Sequence, residues 1–150
     1  MRLLATDRSR AALEVARRNV ERLGQGDRIQ LLEGSLFEPL GDDRFDLVVS
    51  NPPYLAESEQ ADLPPELRHE PREALFAGAD GTAVLRPLIE AAAGHLLPGG
   101  VLALELAPDQ AEPALGWLAT AGFVGSRVHR DLAERPRVVT GTRPTEDGRP

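Results

Sequence analysis

The stretch VVSNPPYL, residues 48–55, sets two consecutive prolines directly after an apolar run. The run itself, FDLVVS at residues 45–50, predicts a strand of the near-continuous apolar kind that is buried on both faces of a parallel sheet. Pro52 and Pro53 fix two successive φ angles and remove two backbone donors, which an ordinary turn does not require. We therefore predict that the strand ends at Asn51 in a loop with an unusually rigid backbone.

Predicted strands and helices alternate on both sides of this loop. Before it lie a strand at 2–6, a helix at 10–24 with Ser9 as its N-cap, and a strand at 28–34. After it lie a long charged segment that we expect to form an ordered flap at 55–81, a helix at 82–96, a turn at 97–100, a strand at 101–106, a helix at 109–122, and two closing strands at 123–130 and 137–142. This alternation indicates an α/β fold with an open sheet, in which ligands bind beyond the carboxyl ends of the strands.

The composition excludes several classes of protein. The chain has 150 residues, of which 41% are hydrophobic, so it can bury the core of one globular domain. It has no apolar run of about 18 residues and no secretory signal, and we expect a cytoplasmic protein. The absence of cysteine excludes disulfides and thiolate-bound zinc, and the three histidines are too scattered to suggest a metal site. The net charge of −7 weighs against a large non-specific hold on nucleic acid, although a local basic patch is compatible with it.

Three candidate site segments follow predicted strands: Asp7, the loop after Glu33, and the loop that begins at Asn51. Carboxyl ends of parallel strands meet at one edge of a sheet, so we expect these segments to share that edge. A carboxylate in such a position can accept both ribose hydroxyls of an adenosine group. Asp7 could also be a first-turn carboxylate favoured by the helix dipole. Its position relative to the Asn51 loop favours the binding role.

Asn51 has the chemistry to hold another primary amide, because its side chain offers one carbonyl acceptor and two N–H donors. Pro52 and Pro53 fix where that side chain points and leave their own carbonyls free to accept. Tyr54 adds a flat apolar wall with a polar tip. Together these residues predict a cradle for a planar NH₂ group, which we favour over the alternative of a rigid turn whose asparagine caps a strand end.

An apolar strand followed by Asn-Pro-Pro-Tyr resembles the signature of S-adenosylmethionine-dependent amino-methyltransferases. Four further segments resemble, in order and spacing, the PrmC/HemK-type glutamine methyltransferases of peptide-chain release factors: HEPREALFAGADG at 69–81, LLPGGVLALEL at 96–106, DQA at 109–111 and RDLAERPRVV at 130–139. The resemblance runs through Thr142. It implies a Rossmann-like class I S-adenosylmethionine-dependent methyltransferase sheet that ends in an antiparallel strand pair. We expect a partial catalytic domain at 1–142 and a flexible tail at 143–150.

The resemblance also implies roles for individual residues. Asp7 would bind the ribose of S-adenosylmethionine, and Ser35 and Leu36 would pack on its adenine. Family members commonly have aspartate at the position of Ser35, so the contact with the adenine amino group is expected to be weaker or water-mediated here. Asn51 would contact the cofactor as well as hold the target amide, and Pro52 would lend its carbonyl, so that Asn51, Pro52 and Tyr54 are the expected catalytic residues. Pro53 and Tyr54 would complete the substrate site, with Tyr54 flanking the glutamine.

The expected chemistry follows from the amide. Its nitrogen lone pair is delocalised into the carbonyl, so the group is a poor nucleophile and must be oriented toward the sulfonium methyl. Accepting both N–H bonds at Asn51 and Pro52 would achieve this, and ideal positioning can supply about 7–11 kcal/mol without a strong general base. Glu70 and Arg72 are interpreted as braces of the flap, with a surface ion pair as the alternative. The implied partner is a release factor, with no membrane and no direct nucleic-acid binding.

Two parts of the family pattern are absent from the chain: the glycine-rich loop after the first strand, and the helical domain that precedes the catalytic domain. The strand at 2–6 corresponds to the family's second strand, and we expect it to lose its central neighbour in the sheet. These features suggest a truncated reading frame or a start codon assigned too late.

Three other hypotheses stay open at the level of sequence. The chain could be a nucleic-acid amino-methyltransferase, which the acidic balance and the EPREAL segment disfavour. It could be a non-catalytic fragment or interaction module that keeps part of the fold. A nicotinamide dehydrogenase is a distant third, because it would depend on the missing glycine-rich loop and has no role for the Asn51 loop.

The absent glycine-rich loop predicts that this chain binds the cofactor weakly by itself. Isothermal titration calorimetry with S-adenosylhomocysteine measures this, and we expect a dissociation constant weaker than micromolar. Micromolar or tighter binding would show that the remaining residues suffice.

Overall fold

The computed structural model describes residues 1–145 and residue 147. The chain forms two compact units, Met1–Asp43 and Arg44–Pro150, and each is described by itself. Of the tail predicted at 143–150, residues 146 and 148–150 lie outside the described residues. Arg143 lies within them; its backbone N–H donates to Gly100 at 2.8 Å and its carbonyl accepts from Gly99 at 2.9 Å. The domain boundaries at 1–142 and the flexible tail remain predictions.

The first unit contains a strand, a helix and a strand, as predicted. Strands β1 (Leu3–Asp7) and β2 (Ile29–Glu33) pair in parallel. Helix α1 (Arg10–Arg22) connects them. It begins at Ser9, whose hydroxyl accepts a hydrogen bond from the N–H of Ala12 at 3.2 Å. The predicted N-cap is therefore confirmed, and it satisfies one of the donors that a helix leaves open at its start.

The second unit continues the alternation. In chain order its elements are β3 (Phe45–Ser50), the short helix α2 (Arg72–Leu75), α3 (Leu85–Ala92), β4 (Leu96–Glu105), α4 (Ala111–Thr120), β5 (Val124–Arg130) and β6 (Pro136–Thr142). The four strands form a sheet in the order β3-β4-β6-β5. The β3–β4 pairing is parallel and the other two pairings are antiparallel. The predicted antiparallel closing pair is therefore confirmed.

The core of the second unit is built around β4. Its largest fully buried side chains come from α3, from β4 and the residue after it, from α4 and from β6: Leu85, Leu88, Ile89, Leu96, Leu102, Leu104, Leu106, Leu118 and Val139. Fully burying a side chain of this size is worth about 1.5–3 kcal/mol. These residues therefore hold the sheet and its helices together and fix the end of β4, beside which the Asn51 loop begins.

The burial of β3 differs from the prediction. We expected both faces to be covered, but Leu47 is 55% exposed and Val49 is 68% exposed, so that expectation was wrong. The two residues lie on one face because side chains alternate along a strand. β3 is also the first strand of its sheet, paired within that sheet with β4 alone. An apolar run shows that a strand can be buried on both faces, but it does not show that other elements of the chain cover both faces.

The boundary between α3 and β4 also differs from the prediction. α3 ends at Ala92 and a short helical turn continues to His95, close to the predicted end at residue 96. Residues 97–100 lie within β4, so the expected turn there was wrong. Opposite Phe45 and Leu47, β4 accommodates the segment from Leu96 to Val101 by a shift of register. Gly99, at φ +79°, permits this irregularity, because a left-handed backbone is costly for most other residues. The chain therefore bends without leaving the sheet.

Because one face of β3 is exposed, the same substitution should lower the free energy of unfolding by very different amounts at a buried leucine and at a leucine of that face. Leu104→Ala should lower the free energy of unfolding by about 2–5 kcal/mol, because Leu104 is fully buried and its loss leaves a cavity. Leu47→Ala should cost under about 1 kcal/mol, because most of its side chain already contacts solvent. Urea unfolding followed by circular dichroism compares the two. Similar losses would contradict the assignment of an exposed β3 face.

Candidate active site

The first unit brings three of the predicted site residues together. Asp7 ends β1 directly opposite Glu33, the last residue of β2. The loop after β2 is tied back to β1, since the N–H of Gly34 donates to the Asp7 carbonyl at 3.1 Å and the Thr6 hydroxyl donates to the Leu36 carbonyl at 2.9 Å. Asp7, Ser35 and Leu36 therefore lie together at the carboxyl ends of β1 and β2.

The Asp7 side chain fills the first-turn role considered for it, and its role in ligand binding stays a prediction. Its Oδ1 atom accepts a hydrogen bond from the Ser9 N–H at 2.7 Å, which orders the turn into α1. The carboxylate is otherwise exposed, and its second oxygen makes no hydrogen bond within the part of the chain that the structure describes. A carboxylate fixed in this way keeps acceptor capacity for a ligand hydroxyl.

The loop after β2 turns sharply. Leu36 has φ +48°, which is uncommon for any residue other than glycine. Gly34 packs so closely that an added Cβ would lie 2.8 Å from Cδ of Pro39. The N–H of Ser35 donates to Glu38 at 3.2 Å, and the Ser35 carbonyl accepts from the Glu38 N–H at 3.0 Å. The backbone is thus held internally, while the Ser35 side chain is exposed and Leu36 is half-buried.

In the second unit, Asn51 follows β3 and its side chain is exposed. Neither this side chain nor the carbonyl of Pro52 hydrogen-bonds to another described residue. Pro52 is buried and Pro53 is half-buried, so the loop is seated in the protein although its polar groups are available. Within the described part of the chain, the Asn51 amide oxygen and the Pro52 carbonyl therefore keep their acceptor capacity, and the cradle itself stays a prediction.

Tyr54 is anchored to the neighbouring strand. Its hydroxyl donates to Oε1 of Glu105, the last residue of β4, at 3.4 Å. Burial raises the pKa of the Tyr54 phenol above its usual value, the negative charge of Glu105 raises it further, and Arg137 acts in the opposite direction. The phenol is therefore neutral at physiological pH and is not poised to act as a base. Its role as a wall of the substrate site stays a prediction.

Gln110 is a component of this region for which sequence reasoning gave no role. Only 6% of the residue is exposed, and it is the buried polar residue of the described core. Its Nε2 donates to the carbonyls of Tyr54 and Gly81, both at 3.0 Å, and its Oε1 accepts from the N–H of Ala107 at 3.1 Å. The sequence signal was the DQA segment at 109–111, which belongs to the resemblance but does not reveal these partners.

The flap consists of short helical turns at 57–62 and 65–69, followed by α2. Its two ends are joined: the N–H of Leu55 donates to Leu75, and the N–H of Ala77 donates back to Leu55, both at 2.9 Å. This is the ordered segment that we expected. Arg72 lies over the ring of Phe76, 4.9 Å from its centroid, and forms no ion pair with Glu70 among the described residues. Arg72 therefore braces the flap through a cation–π contact.

The described residues contain neither a metal-binding cluster nor a membrane-spanning helix. No group of three or more histidine, aspartate and glutamate side chains is placed to hold a metal ion. None of the helices in the same residues has the length and apolar character needed to cross a membrane.

Residues 1–85 match the family model described as the methyltransferase small domain. This match covers more than half of the 150-residue chain. The chain therefore belongs to the methyltransferase small-domain family. A solved structure of similar fold, a methyltransferase from Pyrococcus furiosus, superposes with a TM-score of 0.70 at 20% identity, covering 95% of this chain and 63% of that one. The predicted Rossmann-like methyltransferase fold is confirmed.

Two curated relatives are glutamine methyltransferases by name. The release factor glutamine methyltransferase of Geobacter sulfurreducens is 46% identical over 140 residues, covering 93% of this chain and 49% of the relative. The ribosomal protein uL3 glutamine methyltransferase of Bradyrhizobium diazoefficiens is 46% identical over 128 residues, covering 81% of this chain and 40% of the relative. The predicted resemblance to glutamine methyltransferases is confirmed. The chain spans about half the length, or less, of these relatives.

Gly81 packs so closely against the Asn51 loop that adding one methyl group at Gly81 should destabilise the fold. A Cβ added at Gly81 would lie 2.3 Å from the Tyr54 carbonyl oxygen and 2.9 Å from Nε2 of Gln110, and Gly81 has φ +73°. Gly81→Ala should therefore lower the free energy of unfolding by more than about 1 kcal/mol. Urea unfolding measures this change.

Gly116→Ala is the matched control. Gly116 lies within α4 and an added Cβ would meet nothing within 4 Å, so alanine should stabilise the helix by about 0.4–1 kcal/mol. If Gly81→Ala were as well tolerated as Gly116→Ala, the close packing of Gly81 against Tyr54 would be refuted.

Proposed function

We propose that the protein to which this chain belongs transfers a methyl group from S-adenosylmethionine to the side-chain amide nitrogen of a glutamine in a peptide-chain release factor. The observation that carries this proposal is the Asn51 loop. It presents an unengaged amide and an unengaged carbonyl on a backbone that two prolines make rigid. The name of the Geobacter relative supports the choice of substrate.

The Asn51 loop matches the hydrogen-bonding needs of a primary amide. A glutamine side chain has two N–H donors, and Oδ1 of Asn51 and the Pro52 carbonyl can accept one each. Asn51 also has its own N–H donors for the glutamine carbonyl. Holding both N–H bonds turns the nitrogen lone pair in a set direction, so the loop acts by positioning. In the transfer the amide nitrogen would gain the methyl group as the S–CH3 bond of the sulfonium breaks to leave a thioether. The amide proton would pass to solvent water, because the Tyr54 phenol is neutral and cannot accept it.

The residues of the first unit fit an adenosine group. The second oxygen of the Asp7 carboxylate can accept from ribose hydroxyls, because only Oδ1 is committed to Ser9. Leu36 is held by Thr6 and offers an apolar side chain to an adenine face. Ser35 can make only a neutral hydrogen bond where a carboxylate would make a charge-assisted one. When bound, S-adenosylmethionine supplies an activated methyl group on a sulfonium.

A second candidate substrate is a glutamine of ribosomal protein uL3, which the name of the Bradyrhizobium relative supports. The same amide cradle would serve either protein, since both reactions modify a glutamine side chain. We favour the release factor because the Geobacter relative matches 93% of this chain and the Bradyrhizobium relative 81%. Either substrate places the reaction in the cytoplasm, where translation occurs. Methylation of nucleic acid is less favoured, because the chain carries a net charge of −7.

The test uses a chimeric protein in which this chain is joined to the part of the Geobacter relative that lies outside the match. The chimera is incubated with a class-1 release factor, uL3, RNA and DNA in separate reactions with methyl-labelled S-adenosylmethionine. Label should appear on one release-factor glutamine. Asn51→Ala should lower kcat by about 10²-fold or more with an unchanged melting temperature, because Asn51 orients the amide but contributes little to the core.

Asn19→Ala is the matched control, since Asn19 is an exposed residue of α1 whose side chain accepts only from Arg22. It should keep full activity. Label on uL3 alone would favour the second substrate, and label on RNA or DNA would replace the glutamine hypothesis. Full activity of Asn51→Ala, or a large fall in its melting temperature, would contradict the role given to the Asn51 loop.

A further inference from the structure

Gln110 occupies an unusual position for a long polar side chain. It is almost completely buried, and it lies in the short turn 108–110 that leads into α4. A buried amide is costly unless its donors and acceptor are satisfied. Here both N–H groups of the amide donate, to the carbonyls of Tyr54 and Gly81 at 3.0 Å each, and its oxygen accepts from the Ala107 N–H at 3.1 Å. One side chain therefore joins three separate segments of the second unit.

Two of these contacts have no substitute. Among the described residues, the carbonyls of Tyr54 and Gly81 accept from Gln110 alone. Gly81 must also lack a side chain, since a Cβ there would lie 2.3 Å from the Tyr54 carbonyl oxygen. The Asn51 loop, the end of the flap and the turn before α4 are thus packed around one amide group.

The constraint at Tyr54 extends to Asn51. Only Pro52 and Pro53 separate the two residues, and their φ angles are fixed. A displacement of the Tyr54 carbonyl would therefore be passed to Asn51 with little loss in the intervening backbone. On the other side, Leu55 is held by hydrogen bonds to Leu75 and Ala77. Gln110 adds a restraint on this loop at the Tyr54 carbonyl, three residues from Asn51.

We propose that Gln110 is a positioning residue for methyl transfer: it holds the Tyr54 carbonyl and thereby orients Asn51 toward the target amide. This inference rests on the proposed function. The role needs an amide, because only that group offers two N–H donors for two carbonyls together with an acceptor for the Ala107 N–H. A carboxylate of the same shape would place an oxygen against two carbonyl oxygens, and an apolar side chain of similar length would leave all three groups unpaired.

The experiment compares Gln110→Glu and Gln110→Met in the chimeric protein described above. For both variants kcat per folded molecule should fall by about 10²-fold, the effect of a displacement of roughly 1 Å at a reacting group. KM for S-adenosylmethionine should stay within about twofold, because the residues proposed to bind its adenosine group, Asp7, Ser35 and Leu36, belong to the first unit, whereas Gln110 joins segments of the second. Backbone amide hydrogen exchange should accelerate at residues 54–57 and 81–83.

Gln30→Glu controls for the change from amide to carboxylate, because Gln30 is an exposed residue of β2. It should leave kcat and exchange unchanged. An unchanged kcat in a folded Gln110→Glu or Gln110→Met variant, or a lower melting temperature with normal kcat per folded molecule, would overturn the positioning role. If the wild-type chimera transfers no methyl group, the proposed function fails. Hydrogen exchange in the Gln110 variants then still decides whether Gln110 fixes the Asn51 loop. Exchange equal to that of the wild type would show that it does not.

Discussion

The candidate active site depends on the fixed φ angles of Pro52 and Pro53, which hold the Asn51 loop where no strand or helix does. β3 ends at Ser50, and from there the chain runs through Asn51 to Tyr54 without secondary structure. Pro52 and Pro53 replace that missing structure by fixing their own φ angles, and the burial of Pro52 seats the loop. Because prolines donate no hydrogen bond, the loop keeps carbonyl groups available. Rigidity and acceptor capacity therefore come from the same two residues.

The surroundings of the loop convert local rigidity into a fixed location. The Tyr54 hydroxyl reaches Glu105 at the end of β4, and its carbonyl is held by Gln110 at the start of α4. Glu105 stands between the buried Leu104 and Leu106, and Gln110 is itself buried, so both anchors belong to well-packed parts of the second unit. The polar contacts fix geometry, while the apolar contacts supply most of the free energy.

The alternation of strands and helices, the N-cap at Ser9 and the rigid loop after β3 could all be predicted from sequence, because each depends on local chemistry. The exposure of Leu47 and Val49 could not, because it depends on which layers are present and not on the strand itself. The bend at Gly99 within β4 also escaped prediction, since Leu-Pro-Gly-Gly is equally typical of a turn. Gln110 escaped because its partners lie 29 and 56 residues away in sequence.

The exposed face of β3 also affects how the protein behaves in concentrated solution. β3 is an edge strand of its sheet, and the exposed Leu47 and Val49 offer apolar surface to another copy of the chain. Asp46, between Phe45 and Leu47, places a charge within this strand, and the net charge of −7 repels approaching copies. Both repulsions act over about 10 Å at 0.1 M ionic strength and weaken as salt increases. The charge that keeps copies apart is therefore a condition-dependent safeguard for the exposed apolar face of β3.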